Sequence, residues 1–373
     1  MNDVSDDVEH MWTIVVSIWL SSSVCLVGVV TNYWNIRVFK RQGLTDNVNI
    51  SLMGLAIADL TCDVISLWLS VCELLNILDP PTLTFQPASL LMLTASIPRI
   101  IATRVSSWLT ALTSLQRCLA VTLPFKVRQM FTPRNTSIST LSVSILVLVG
   151  YMCVYYLKDL VSVIDSRHNI TRVVMIPAAR GRANQILNNL LFISLPLVNI
   201  LVISLATIIM ISSLMRASRW RHTIKHGETT PATRWRHTIT QGETTPADDH
   251  HDTSGTKRLP NRKPQPGPHT VEGTDPSKDK KEVRTSKMVI AVMLIFIVCN
   301  LPSNFLFAMR NVFPEFNDAG SLKNIFFMSH GLAFLLENIN SSVNFFAYFF
   351  MSSKFKATFL HLRWCDTVSR DVK

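Results

Sequence analysis

Charge is scarce in this sequence, and its cysteines are few and scattered. Only 16% of the 373 residues are charged, whereas 48% are hydrophobic, a balance too apolar for an ordinary soluble domain. The seven cysteines show no CxxC or Cys/His spacing, which argues against a zinc site or a disulfide framework. We therefore expect a membrane protein rather than a metal-bound or disulfide-rich domain.

Signals for enzymes and for nucleic-acid binding are also missing. No segment offers a nucleophile beside its base, a metal-ligand cluster or a glycine loop for phosphate, so we expect no enzyme and no organic cofactor. The net charge of +11 does not indicate a nucleic-acid partner, because basic membrane proteins place such charge in loops that face anionic lipid. Residues 1–10 lack the basic start of a signal peptide, so the first apolar run is expected to stay as a span.

Seven apolar runs are long enough to cross a bilayer, whose hydrocarbon core of about 30 Å needs about 20 helical residues. They are 11–39, 48–76, 90–123, 138–157, 186–215, 287–309 and 322–351. The sequence therefore predicts an all-α membrane protein, a seven-transmembrane helix bundle over residues 11–351. After the seventh span, Phe355, Phe359 and Leu362 share one face, which predicts a short amphipathic helix in the tail 352–373.

Basic residues in the loops predict the orientation of the bundle. With the N-terminus (1–10) outside, the inner segments hold most of them: Lys40, Arg41, Lys126, Arg128, Arg134, the stretch from Arg216 to Lys287, Lys354, Lys356 and Arg363. We expect a multi-pass plasma-membrane protein with an extracellular N-terminus. The second outer loop is basic as well, and we interpret it as a ligand feature.

The segment 216–286 differs from every span. It is rich in Pro, Gly, Thr and charge, so it is expected to be a disordered third cytoplasmic loop. It contains a tandem duplication with a period of 15 residues, RWRHTIKHGETTPA from Arg219 and RWRHTITQGETTPA from Arg234. Two interpretations stand: an expanded loop, or a basic, Trp-bearing repeat that binds a partner or lipid.

Polar motifs recur on the predicted spans in a recognisable order, and a polar residue inside a span is a functional hypothesis. They are Asn32 in GVVTN, Asp59 in NISLMGLAIADL, the run Gln116, Arg117, Cys118, Pro302 in FIVCNLP, and Asn344 in NSSVNFFAY. Together they resemble the rhodopsin-like (class A) G-protein-coupled receptors. VSSWLTALTSLQRCLAVTLPFKV and NSSVNFFAYFF look like the gastropod chemosensory receptor-like branch, itself similar to invertebrate peptide receptors. The resemblance implies a receptor that activates a heterotrimeric G protein.

The resemblance assigns a polar core to Asn32, Asp59, Ser341 and Asn344. In the family this cluster binds a sodium ion that favours the inactive state. A polar cluster that only joins helices is the other interpretation, since a buried carboxylate needs hydrogen-bonding partners or a cation.

The resemblance also assigns the residues of the activation switch. Arg117 would engage the G protein, with Tyr348 among the coupling residues, and Pro302 would kink the sixth helix beside Phe296. Gln116 replaces the acid that normally restrains this arginine, so Glu282 is our candidate partner for Arg117 in an inactive-state lock. Asn300 stands where the family usually has a tryptophan. A divergent receptor that couples poorly is therefore an alternative.

Cationic residues mark the expected ligand pocket. Arg99 precedes Arg117 by 18 residues, which is five turns up the same helix face. With Arg104 and Arg310 it favours an acidic ligand, such as an acidic peptide or a small organic acid. The competing interpretation pairs Arg99 or Arg104 with Glu337 on the seventh span. His330 would line the pocket or make it sensitive to pH.

Two modification sites and one missing cross-link follow from the loops. The second outer loop has no cysteine, so the family's usual disulfide cannot form and a looser extracellular mouth is expected. Asn169 begins the sequon Asn-Ile-Thr and is a glycosylation candidate. Cys365 would be palmitoylated or remain an idle thiol.

A seven-span ligand-gated channel or transporter is the alternative from another functional class. A transporter would predict an inverted repeat or broken helices, and the sequence has neither. Insect odorant channels also have seven spans but place the N-terminus inside, which the basic inner loops oppose.

Overall fold

The computed structural model describes residues 5–123, 130–166, 168, 170–178, 182–227, 276–317 and 320–371, with no side-chain description at 217–227, 276–282 and 365–371. The chain forms two compact units, one of residues Met1–Ile211 and Arg284–Lys373 and the other of Ser212–Val283.

Long helices make up most of the described residues. Helices α1 to α8 are, in chain order, Asp6–Gln42, Asn47–Leu78, Pro87–Thr122, Pro133–Tyr156, Arg182–Arg216 with a continuation to Gly227, Pro276–Val312, Lys323–Met351 and Ser353–Asp371. The predicted all-α fold, with a further helix after the last span, is confirmed. Among the described helices, six are long and apolar enough to cross a membrane. The seventh, α7, buries many polar side chains instead.

The helix boundaries follow from local chemistry. The Asp46 carboxylate accepts a hydrogen bond from the Val48 amide at the start of α2, and the Thr132 hydroxyl accepts one from the Asn135 amide at the start of α4. Such side chains satisfy the first amides of a helix, which have no partner within the helix itself. Helix α2 ends at Leu78 and is capped by Asp79, whose φ of 41° is left-handed, a conformation that Asp tolerates better than most residues.

A β-hairpin in the loop between α4 and α5 was not predicted. Strands β1 (Lys158–Asp165) and β2 (Ile170–Pro177) pair antiparallel, with Lys158 opposite Pro177 and Asp165 opposite Ile170. We call the side of the bundle that carries this hairpin the hairpin face.

Three helices are widened to π-helix near the hairpin face. The π-helical segments are Thr13–Leu20 in α1, Met92–Ser96 in α3 and Leu190–Ser194 in α5. Because α1, α3 and α5 run in the same direction, all three segments lie toward the same side of the bundle. Such insertions are frequent at functional sites, since they shift the side-chain register.

The segment 216–286, which was predicted to be disordered, is helical at both of its ends. Helix α5 continues to Gly227 and α6 begins at Pro276. Residues 228–275, which include the second copy of the duplication, lie outside the described residues.

Candidate functional site

A buried carboxylate joins three helices at the centre of the bundle. Asp59 on α2 is fully buried, and its two oxygens accept hydrogen bonds from Ser106 Oγ on α3 at 2.5 Å and from Asn344 Nδ2 on α7 at 2.8 Å. Ser106 was not among the predicted site residues. Ser106 precedes Arg117 by 11 residues, which is three turns up the same face of the helix. That spacing could have indicated that Ser106 faces the bundle core.

A second buried carboxylate, Asp63, lies one turn along α2 and was also missed. Asn32 Nδ2 donates to Asp63 Oδ2 at 3.0 Å, and the Ser341 hydroxyl donates to Asp63 Oδ1. Asn32 also donates to the Ser341 carbonyl at 2.9 Å. The four predicted core residues therefore divide between two acids, because positions i and i+4 share one helix face.

A small internal cavity adjoins Asp59. Its walls include Ser106, Asn300, Asn340 and Ser341, and its size suits about one water molecule or ion. Asn340 is buried, and its Oδ1 has no hydrogen-bond partner within the described part of the chain. Oxygen ligands of this kind suit a hard cation, so the donor set fits sodium.

Toward the hairpin face, Arg99 is enclosed by protein groups. Its guanidinium lies 3.0 Å from Glu337 Oε2 on α7 and donates to Ser66 Oγ at 3.1 Å and Asn338 Oδ1 at 3.1 Å. It also donates to the Phe334 carbonyl and stacks over that ring at 4.3 Å. Both members of the ion pair are buried, so the charge of Arg99 is neutralised inside the bundle.

Arg104 lies apart from this pair, whereas His330 and Arg310 are connected to it through aromatic rings. Arg104 is buried and reaches Asn304 on α6. His330 stacks on Phe326 with ring centroids 4.1 Å apart, and Arg310 lies 5.6 Å above the same Phe326 ring. The His330 ring also meets the Phe334 ring edge to face at 6.1 Å, and Arg99 covers that ring, so the ion pair and the aromatic cluster are continuous while Arg104 stands separate.

Near Pro302, two asparagine side chains of α6 donate hydrogen bonds to carbonyl groups of the same helix. Asn300 Nδ2 donates to the Phe296 carbonyl at 2.9 Å, and Asn304 Nδ2 donates to the Asn300 carbonyl at 2.7 Å. Pro302 lacks an N–H, so the helix loses one backbone bond at the same place. Phe296 is buried in the main hydrophobic core, one turn from Asn300.

At the end of the bundle opposite the hairpin, the predicted coupling residues have different neighbours. Gln116 Oε1 accepts a hydrogen bond from Ser51 Oγ on α2 at 2.7 Å. Arg117 is partly buried on α3, and Tyr348 is buried against Phe39 and Phe355. Nearby on α6, Arg284 donates to the Met351 carbonyl at 2.7 Å and to Ser353 Oγ at 3.0 Å, a contact that the sequence did not suggest.

Noncovalent contacts hold the hairpin in place of a disulfide. The Arg172 guanidinium bonds Asp79 at the end of α2, lies 3.3 Å from Asp165 Oδ2 on β1, and donates to the Pro80 carbonyl at 3.1 Å. Val173 also exchanges backbone hydrogen bonds with the segment before α3. These contacts anchor the hairpin to α2 and to the segment before α3, and the expected looser mouth stays a prediction.

Comparison with known proteins identifies the bundle. The sequence profile described as 7 transmembrane receptor (rhodopsin family) matches residues 34–348. The chain belongs to this family. No curated protein matches the chain. Members of this family are receptors, so the chain is a multi-pass membrane protein of the receptor class.

The structure does not describe three of the site residues that were predicted for this rhodopsin-family receptor. Asn169 lies outside the described residues, as do the side chains of Glu282 and Cys365. The lock between Arg117 and Glu282, the glycan and the palmitoyl group therefore stay predictions.

Proposed function

We propose that the protein is a plasma-membrane receptor that binds an extracellular ligand and activates a heterotrimeric G protein. The observation that carries the proposal is the buried junction in which Asp59 on α2 accepts hydrogen bonds from Ser106 on α3 and Asn344 on α7. A change in this junction moves three helices relative to one another, which is how a ligand bound on one side alters the other.

The ligand of this receptor carries an acidic group and is a peptide or a small chemosensory cue. Arg104, a buried arginine on α3, supports this, because a guanidinium matches a carboxylate and repels an amine, whereas Arg99 is already neutralised by Glu337. The motif resemblance to the gastropod chemosensory branch supports the same class of cue. Arg117 engages the G protein, and Glu282 restrains it in the resting state.

The test is expression with promiscuous G proteins and a screen of acidic peptides and waterborne organic acids, reading nucleotide exchange on the G protein. Exchange driven by an acidic ligand is expected. A ligand-gated current without any G protein would instead favour the channel, and a bound ligand without exchange would favour a receptor that couples poorly. Loss of agonist response in Arg99→Ala is not by itself diagnostic, since that change also leaves Glu337 unpaired.

We also propose that a sodium ion occupies the cavity beside Asp59. Support comes from the unpartnered Asn340 Oδ1 and the oxygens of Ser106 and Ser341 around that cavity. Sodium, compared with potassium, should raise the unfolding midpoint of the purified receptor by on the order of 5 °C. Asp59→Asn should abolish the difference, whereas Asp63→Asn, one turn away and outside the cavity wall, should retain it. A sodium effect that persists in Asp59→Asn would contradict the proposal.

A further inference from the structure

Arg104 is a buried cation with almost no protein partners. The residue is only 4% exposed on α3, and within the described part of the chain its one hydrogen bond runs from Nη1 to Asn304 Oδ1 at 3.5 Å, the limit of such a bond. Its Nε has no partner. A guanidinium offers five N–H donors, so most of this group's hydrogen-bonding capacity is unused.

Arg99, five residues earlier on the same helix, is a buried arginine whose guanidinium has hydrogen-bonding partners, and it serves as the comparison. It makes four hydrogen bonds, one of which is its ion pair with Glu337. No acidic side chain of the described residues forms an ion pair with Arg104. The two arginines share a helix and a charge, but only one has a counterion.

An unpaired guanidinium inside a membrane protein is energetically costly, because desolvation of the charge is not repaid by an opposite charge. A water molecule can accept hydrogen bonds from it but cannot neutralise it. An anion would supply both the acceptor oxygens or lone pairs and the missing charge.

We propose that Arg104 binds a monovalent anion, either the carboxylate of the receptor's ligand or a resident halide, while Arg99 with Glu337 is a structural pair. The assignment of a carboxylate to an extracellular ligand rests on the proposed function. The anion site itself does not. Asn304, through its side chain, positions the guanidinium from α6, so that anion binding there joins α3 to the helix that carries Pro302.

The experiment measures the unfolding midpoint of the purified full-length receptor during titration with potassium chloride and, separately, potassium propionate. A saturable rise on the order of 5 °C is expected for the wild type with at least one of the two anions. Arg104→Gln should lose that rise and keep only the general salt effect. The control, Arg99→Gln with Glu337→Gln, also removes a buried arginine of α3 but takes its counterion with it, so it should keep the rise.

The two titrations separate the sources of the anion. A response to propionate alone assigns the site to a ligand carboxylate, a response to chloride alone assigns it to a halide, and a response to both supports the shared chemistry. An equal rise in wild type and Arg104→Gln would overturn the proposal. Should Arg104→Gln not fold, equilibrium binding of radioactive chloride and propionate to the wild type decides, because a receptor that binds neither has no such site. None of these readouts requires a G protein, so a failure of signalling would leave the result intact.

Discussion

At the scale of single residues, Gly28 shows how closely α1 approaches the polar core. A Cβ atom at this position would overlap the Asp63 carboxylate and the Ser342 hydroxyl. These groups belong to α2 and α7, so the missing side chain lets three helices meet. Glycine is used where another chain segment must come close to the backbone.

Gly28→Ala should therefore lower the stability of the bundle by about 1–3 kcal/mol, the usual cost of overpacking a core. Gly150→Ala on α4 is the matched control, because a Cβ there would meet nothing within 4 Å. That change should leave the unfolding midpoint unchanged or slightly raised, since alanine favours helix. Equal midpoints for the two variants in a thermal unfolding assay would contradict the close packing at Gly28.

The pair of Arg99 and Glu337 leads to a second prediction. Arg99→Gln or Glu337→Gln alone leaves an uncompensated buried charge and should cost about 3–5 kcal/mol. The double variant removes both charges and should be more stable than either single variant. Thermal unfolding of all four proteins measures the coupling, and additive losses would show that the two side chains act independently.

At the scale of secondary-structure elements, the hairpin depends on one arginine. Removing the Arg172 guanidinium deletes its contacts with Asp79, Asp165 and Pro80 at once. A hydrogen bond to a charged group contributes about 1.5–3 kcal/mol, so Arg172→Ala should speed amide exchange across Lys158–Asp165 by roughly 10-fold to 100-fold. The control is Ile164→Thr, an exposed β-branched position on β1. Unchanged exchange in Arg172→Ala would mean that the backbone pairing at Val173 suffices.

At the other end of the bundle, a contact of α6 that the sequence did not suggest leads to a further prediction. Arg284 links α6 to the junction of α7 and α8 through the Met351 carbonyl and Ser353 Oγ. If α6 moves outward on activation, these bonds must break, so Arg284→Ala should raise basal nucleotide exchange by a few-fold to about 10-fold. Lys287→Ala is the control, because Lys287 carries the same charge and is exposed. Equal basal exchange in the two variants would remove Arg284 from the resting-state restraint.

At the scale of the whole molecule, the sequence predicted the features that depend on local residue patterns. Long apolar runs and polar motifs gave the seven helices and the residue Asp59, because helix formation in lipid is dictated by local composition. The hairpin Lys158–Pro177 was missed, since alternation in a short loop is a weak signal and its pairing depends on contacts with the segment before α3.

The division of the polar core could not be read from the sequence either. Asp59 and Asp63 are one turn apart, so either could have accepted the hydrogen bond from Asn32, and the choice depends on the relative height of α1 and α2. The same holds for Arg99 and Arg104, either of which could have paired with Glu337. Helix identity is a local property, whereas the vertical register between helices is set by tertiary packing.

The orientation of the bundle yields a prediction that separates the two seven-span classes. With the N-terminus outside, the sequon at Asn169 faces the lumen during synthesis and should receive one glycan, whereas those at Asn49 and Asn135 should not. Treatment with a glycosidase should therefore increase the mobility of the wild type on a gel, and Asn169→Gln should migrate like the treated protein. An N-terminus-inside channel would place Asn169 in the cytosol. Glycosylation at Asn135 instead of Asn169 would demand that inverted topology and would remove the basis for placing Arg117 beside a G protein.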